Sequence, residues 1–231
     1  MKLHRFYVGN KTKLTDSLWY DNPGFVHQLG KVLRAKLGDK VVLFDGVSLD
    51  RMYKIAEITP HAVHLKHVTD MARKIPNKNI YLLWSLLKKD KNDWVLQKST
   101  ELGVRHFIPI ITERTEKMGF DIERAVKIVI EAAEQCGRSD IPTIREPIHI
   151  TKAIEELKNK VHLFYCEQDS KIPNTSHDIP DSVGVLVGPE GGWTETELQT
   201  FEATHVAPLN LHDFTLRAET ACITAVAKLV Q

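Results

Sequence analysis

Cysteine is scarce in this 231-residue chain, with only Cys136, Cys166 and Cys222. Their spacing fits no zinc module, and an odd number cannot close a complete disulfide framework. They are expected as reduced thiols, mostly buried, with no metal. An excess of charge of one sign is also missing: 31 Lys and Arg against 30 Asp and Glu leave a formal net charge of +1. That excludes a uniformly basic nucleic-acid binder and confines any RNA site to a local patch. No apolar run approaches the roughly 20 residues a membrane-spanning helix needs. The opening Met1-Lys2-Leu3-His4-Arg5-Phe6-Tyr7-Val8 lacks the apolar stretch of a secretory signal and reads as a strand. The expected location is the cytoplasm, with no membrane partner. Neither a Gly-x-x-x-x-Gly-Lys phosphate loop nor the Gly-x-Gly-x-x-Gly dinucleotide spacing occurs, which argues against a nucleotide-dependent oxidoreductase. Internal repeats and low-complexity segments are absent too.

What is present divides into two patterns. Over residues 1–70, short alternating stretches at 3–8, 40–44, 52–58 and 62–68 are bounded by Gly38-Asp39, Asp45-Gly46 and Thr59-Pro60, signals for strands and turns. Phe25, Leu29 and Leu33 recur at helical spacing, so a helix is predicted over 24–34. This half is expected to be a small β-barrel. Residues 71–79, with Arg73, Lys74, Pro76 and Asn77, read as a linker. From 80 to 231, strands at 80–86, 106–111, 161–166 and 183–187 alternate with helices at 92–102, 122–135, 151–157, 194–201 and 216–230. Thr151 is a candidate N-cap, and Thr194 with Glu197 forms a capping box. Such alternation predicts an α/β domain with a mainly parallel sheet.

Four segments carry candidate chemistry. In the first, the strand over 183–187 runs into Gly188-Pro189-Glu190-Gly191-Gly192-Trp193-Thr194 and a helix. Ligands in open α/β sheets bind beyond strand carboxyl ends, and glycine lets a backbone approach them closely; a plain tight turn is the structural alternative. In the second, Leu209-Asn210-Leu211-His212-Asp213-Phe214-Thr215-Leu216-Arg217-Ala218-Glu219 feeds a helix. Arg217 is read there as an anion-binding or electrophilic group, and Glu219 is favourable in a first helical turn. The third places Gln97 and Glu101 on one helix face, near a basic cluster of Lys88, Lys89, Lys91 and Lys98. The fourth is Glu134-Gln135-Cys136-Gly137-Arg138, with Gly137 as a helix stop and Gln135 and Arg138 as candidate substrate contacts.

Together with His4-Arg5-Phe6-Tyr7-Val8, Leu37-Gly38-Asp39 and Phe44-Asp45-Gly46, these segments follow one another in an order that resembles the bacterial 16S ribosomal RNA uridine-N3 methyltransferase family (RsmE family) of the SPOUT superfamily, over nearly the whole chain. The resemblance implies a PUA-like RNA-binding β-barrel domain at 1–70 and, after the 71–79 linker, a SPOUT domain with a deep trefoil knot at 80–231. It also implies a homodimer, S-adenosylmethionine as cofactor and 16S ribosomal RNA of the small subunit as partner, with uridine 1498 as target. Carried over residue by residue, the cofactor loops are Leu186, Val187, Gly188, Pro189, Glu190, Gly191 and Gly192, and Leu209, Leu211, His212, Leu216 and Arg217. Leu186, Leu211 and Leu216 are expected as apolar walls. The sequence departs from the family at His212, where members commonly have Gly, and at Phe214, where they have Arg; both put the loop's shape in question. Arg217 is expected to stabilise charge on the uracil ring, with Glu101 or Glu219 orienting it or taking the proton. RNA contacts are expected from Arg5, Arg34, Lys36, Lys88, Lys89, Gln97, Lys98, Gln135 and Arg138, with Arg73 and Lys74 adding phosphate contacts. A ribose 2′-O RNA methyltransferase and a non-catalytic ribosomal RNA-binding assembly protein stand as the alternative functions.

Overall fold

The computed structural model describes residues 3–168 and 179–230. Two units emerge: Met1–Ile75 with Ala133–Ile141, and Pro76–Ala132 with Pro142–Gln231. Segment 133–141, expected in the second domain, thus belongs with the first unit.

The first unit holds β1 (His4–Tyr7), β2 (Ser17–Tyr20), α1 (Pro23–His27), β3 (Lys40–Phe44), β4 (Asp50–Ile58) and β5 (Val63–Met71). The sheet order is β1-β3-β4-β5-β2. Only the β1–β3 pair is parallel. Successive side chains of a strand point to opposite faces. One face accordingly carries Phe6, Val41, Leu43, Tyr53, Ile55, Val63 and Leu65, and these pack with Phe25 and Leu29 into the core. Asn22 caps α1 by accepting from the Phe25 N–H at 3.1 Å. The helix then widens into a π-turn over Gln28–Val32, so the regular helix predicted over 24–34 is shorter than its apolar spacing implied. Strand β2 lies among polar residues and had no alternating signature long enough to find.

The other face of this sheet is covered around β1 and β3. Arg5 donates to Asp50 at 2.6 Å, and Ser139 Oγ donates to the same carboxylate oxygen at 2.6 Å. Glu134 accepts from the Tyr7 N–H at 2.8 Å. Ser139 and Lys74 exchange bonds, the Ser139 N–H to the Lys74 carbonyl at 2.7 Å and the Lys74 N–H to Ser139 Oγ at 2.9 Å. Arg138 pairs side-on with Asp140 through contacts of 2.9 and 2.7 Å. Arg5 and Arg138, expected to meet phosphate, are therefore consumed in ion pairs out of solvent, Arg138 being only 6% exposed. Arg73 is held by the Gly46 carbonyl at 2.6 Å.

The second unit runs β6 (Asn79–Ser85), α2 (Lys89–Glu101), β7 (Val104–Ile111), α3 (Ile122–Cys136, whose last turn falls in the first unit), β8 (Thr143–Ile144), β9 (Ile148–His149), α4 (Ile150–Leu157), β10 (His162–Glu167), β11 (Ser182–Val187), α5 (Glu195–Ala203), β12 (Ala207–Asn210) and α6 (Ala218–Leu229). Its sheet has the order β12-β10-β11-β6-β7-β8, with β9 also against β7. Every pairing is parallel. Parallel sheets need both faces covered. Leu83, Ile108, Leu163 and Leu186 meet α4 and α5 through Ile154, Leu157 and Phe201, while α6 packs on β6, β11 and α2. α4 starts after His149 without a side-chain cap, so Thr151 is not the N-cap the sequence suggested. No described helix is long and apolar enough to cross a membrane.

The turn from β6 into α2 is fixed by one buried side chain. Asn92 Oδ1 accepts from the Trp84 indole at 3.0 Å and from the Leu87 N–H at 3.1 Å, and its amide donates to the Leu87 carbonyl at 2.9 Å. Asn92→Ala strands two buried donors and one acceptor, so it is expected to cost about 3 kcal/mol in denaturant unfolding of this unit. Asp50→Ala leaves Arg5 without its counter-charge in a buried site and should lower stability by roughly 3–5 kcal/mol. An unfolding midpoint equal to wild type for either variant would remove that network from the account of stability.

Candidate functional site

Parallel pairing sets the carboxyl ends of β10, β11 and β12 side by side, the place where α/β sheets bind ligands. The chain beyond them encloses a cavity of about 350 Å³, within the usual range for small-molecule sites. Val187, Trp193, Leu211, Leu216, Ala218 and Ala221 give it apolar walls. Glu167, Gln168, Glu190, His212, Thr215 and Arg217 supply polar groups.

The loop after β11 is built around Trp193. Its indole N–H donates to the Cys166 carbonyl at 2.9 Å, and its ring sits edge-on to Phe201 at 5.0 Å. A Cβ on Gly188 would come within 3.1 Å of that ring, so the position admits only glycine without a shift. Gly192 has φ +69°, a conformation costly to other residues, and its N–H donates to the Pro189 carbonyl at 2.9 Å. Arg114 ties the loop down through the Gly191 carbonyl at 2.6 Å and the Trp193 carbonyl at 3.0 Å. Thr194 and Glu197 form the expected capping box at the start of α5, and Glu197 also accepts from the Glu113 N–H at 3.0 Å.

The second loop runs from β12 to α6. Gln168 donates its amide to Thr215 Oγ1, and the Phe214 N–H donates to His212 Nδ1 at 3.1 Å. Among the described residues only Arg34 and His205, besides glycines, have positive φ. His212 therefore occupies ordinary backbone space, and the strain its replacement of glycine suggested is not present. Phe214 lines the cavity while 75% exposed.

Of the three residues expected to be catalytic, only Arg217 lines the cavity. It stands at the N-cap of α6, exposed, and among the described residues no ion pair claims its guanidinium. Glu219 is buried beside Lys91 at 3.2 Å, and Glu101 is paired with Lys98 at 2.9 Å. Neither borders the cavity; the carboxylates that do are Glu167 and Glu190. The expected cofactor residues Val187, Gly188, Pro189, Glu190, Gly192, Leu211, His212, Leu216 and Arg217 all line it. Leu186 does not, because strand alternation turns it into the core below. Leu209 is likewise buried outside the lining. Gly191 borders a neighbouring cavity of about 550 Å³ with Lys88, Arg114 and Lys117. Lys89 and Gln97 are exposed on α2, and Arg34, Lys36 and Gln135 are exposed in the first unit.

Sequence reasoning missed Cys166, Gln168 and Trp193, which reach the cavity from strand ends and a loop that only the pairing of β10 with β11 brings together. Lys91, read from the sequence only as one member of a basic cluster, has a more specific place. That ammonium bridges Glu190 at 3.3 Å and Glu219 at 3.2 Å, joining the glycine-rich loop to α6. Its hydrogen bonds to Glu219 and then Glu190 raise its pKa above the ordinary 10.5. A raised lysine pKa adds stability that is complete below the unfolded value and lost only as pH rises through the folded one, so the tie holds across neutral pH. Burial pushes the Cys166 and Cys222 thiols up, whereas Cys136, expected to be buried like them, is exposed. Among the described residues no cluster of His, Cys, Asp or Glu could hold a metal ion.

Residues 73–230 match the RNA methyltransferase domain family, and residues 26–66 match the RNA methyltransferase PUA domain family. Ribosomal RNA small subunit methyltransferase E of Rickettsia conorii is 29% identical over 235 residues, spanning 99% of this chain and 96% of the relative. The Aquifex aeolicus protein of that name is 33% identical over 168 residues, 71% of this chain and 73% of its own. The Neisseria gonorrhoeae ribosomal RNA small subunit methyltransferase E, solved bound to S-adenosyl methionine, superposes with a TM-score of 0.88 at 29% identity over 98% of this chain and 96% of that one. A Legionella pneumophila methyltransferase solved with bound cofactor SAM gives 0.88 at 28% identity, over 99% of this chain and 97% of that chain. With the cavity at the strand ends, a PUA-like unit and an α/β methyltransferase unit accounted for in one chain, the protein belongs to the ribosomal RNA small subunit methyltransferase E family of the SPOUT superfamily.

Proposed function

We propose that this chain methylates N3 of a uridine in 16S ribosomal RNA, with S-adenosylmethionine as methyl donor and uridine 1498 as the target. The observation that carries the reading is Arg217, an exposed guanidinium outside any ion pair among the described residues, at the edge of a cavity with apolar walls and polar ends. When bound there, S-adenosylmethionine supplies an electrophilic methyl group. Val187, Leu211 and Leu216 suit the faces of an adenine, and backbone groups around Gly188 and Leu211 suit its edge. Glu167 and Glu190 place negative charge on the cavity wall, favourable to a cationic ligand.

Uridine N3 is a pairing position, so the base has to leave its helix or come from a single strand. Losing the N3 proton spreads negative charge over N3 and the flanking carbonyl oxygens. Arg217 is positioned to stabilise that charge, the kind of fixed electrostatic contribution that dominates many active sites. Glu167 or Glu190, rather than Glu101 or Glu219, which do not line the cavity, then lies on the wall where a proton acceptor is needed. Lys91 positions Glu190 and the start of α6 without touching the cavity.

The same reading includes a homodimer acting in the cytoplasm on the small ribosomal subunit, and a C-terminal segment threaded as a trefoil knot. Support for the threading comes from chain order. β12 pairs with β10 at the sheet edge, yet α6, only a short loop later, packs on β11 and β6, which takes the chain back across β10.

Arg217→Ala should lower methyl transfer to unmodified small subunits by about 10²–10³-fold, with cofactor affinity changed only a few-fold; a normal rate would remove Arg217 from the reaction. Gly188→Val drives a side chain into the Trp193 ring. It should weaken cofactor binding by at least about tenfold, the 1.4 kcal/mol equivalent of a modest strain in the loop. Unchanged affinity by titration calorimetry would place the cofactor elsewhere.

A further inference from the structure

The face of the first unit's sheet that Arg5, Asp50 and Ser139 leave uncovered carries two features the reaction does not use. Lys40 on β3 stands directly opposite Lys54 on β4, and Lys54 directly opposite Lys66 on β5. Directly opposed residues share a face, and all three lysines are exposed. Two strand spacings, about 10 Å, thus hold three ammonium groups in one row, with Ser17 of β2 next in register. Like charges directly opposite destabilise a sheet. Among the described residues none of the three joins an ion pair that would offset that cost.

One register step along lies an aromatic platform. Trp19 on β2 is opposite His64 on β5, and the rings stack at 4.7 Å with an interplanar angle of 5°. His64 is held beneath by Ser17 Oγ, 2.8 Å from its Nε2. Trp19 remains 51% exposed, an indole already ordered yet half open to solvent. Glu57, across from His64, is the one carboxylate in register with this stack.

The geometry points to this face as a docking surface for single-stranded RNA: the Lys40–Lys54–Lys66 row takes phosphates and the Trp19–His64 stack takes an unpaired base. It rests on the reading of RNA as substrate and names a contact region for it within the first unit. Phosphates relieve the lysine repulsion, and a base adds to an existing stack at little ordering cost. Base–aromatic stacking of this kind is tolerant of sequence, so the face positions RNA and leaves the choice of uridine to the cavity.

The test uses the full-length protein and a 16S ribosomal RNA transcript, with binding measured across a salt series. Cofactor affinity and thermal melting are recorded for each variant. In K40Q/K54Q/K66Q the slope of log affinity against log salt should flatten by about 2, three contacts at about 0.7 each. Its melting temperature should not fall, since a repulsion has been removed, and its cofactor affinity should be unchanged. W19A should bind RNA at least about fivefold more weakly, the lower end of the stacking range, and W19F should recover most of it. Wild-type affinity and slope in both W19A and the triple variant would overturn the proposal while leaving the methyltransferase reading intact. A wild type that transfers methyl groups to no RNA and binds none would overturn that reading and the proposal with it. Loss of binding to anionic phospholipid vesicles but not to RNA would make the face a membrane contact and overturn it as well.

Discussion

The indole of Trp193 donates its single N–H to the end of β10 while its ring lies against Gly188 at the end of β11 and edge-on to Phe201 in α5. Three elements that meet only through parallel pairing are thereby held by one side chain. Gly188 has to be glycine because the ring is there, and Arg114 fixes the Gly191 and Trp193 carbonyls from the outer side. The loop's shape is thus set before any ligand arrives, which keeps the ordering cost of binding low. The Lys91 bridge extends the same rigidity to the first turn of α6, where Arg217 stands.

Strands and helices with a full period were legible from the residues alone. The runs at 40–44 and 183–187 form β3 and β11 within a residue, and the Thr194 capping box is present as read. What escaped were elements with too few residues for a period, such as β2, β8, β9 and β12, whose existence depends on a neighbouring strand. The cavity's two loops were visible as glycine-rich and polar segments after strands. Its third side, Cys166 to Gln168, was not, since nothing local distinguishes the end of β10 from that of any other buried strand.

Charged residues were the least legible. An arginine in a sequence looks like a surface group, but Arg5 and Arg138 sit in ion pairs with Asp50 and Asp140, partners 45 and 2 residues away. Conversely Lys40, Lys54 and Lys66 look unremarkable in a nearly neutral chain and become a feature only when register places them opposite one another. Contact with an anion is decided by which cations the fold leaves unneutralised, and composition does not report that.

Cys166 borders the cavity with a thiol that burial pushes up. A thiolate is the nucleophilic form of cysteine, and the neutral thiol reacts poorly. Where the cavity takes an electrophilic methyl donor, an ionised sulfur on its wall would compete with the RNA base as methyl acceptor and be alkylated itself. Burial holds that sulfur in its protonated form, so the wall beside a bound methyl donor presents no strong nucleophile of the protein's own.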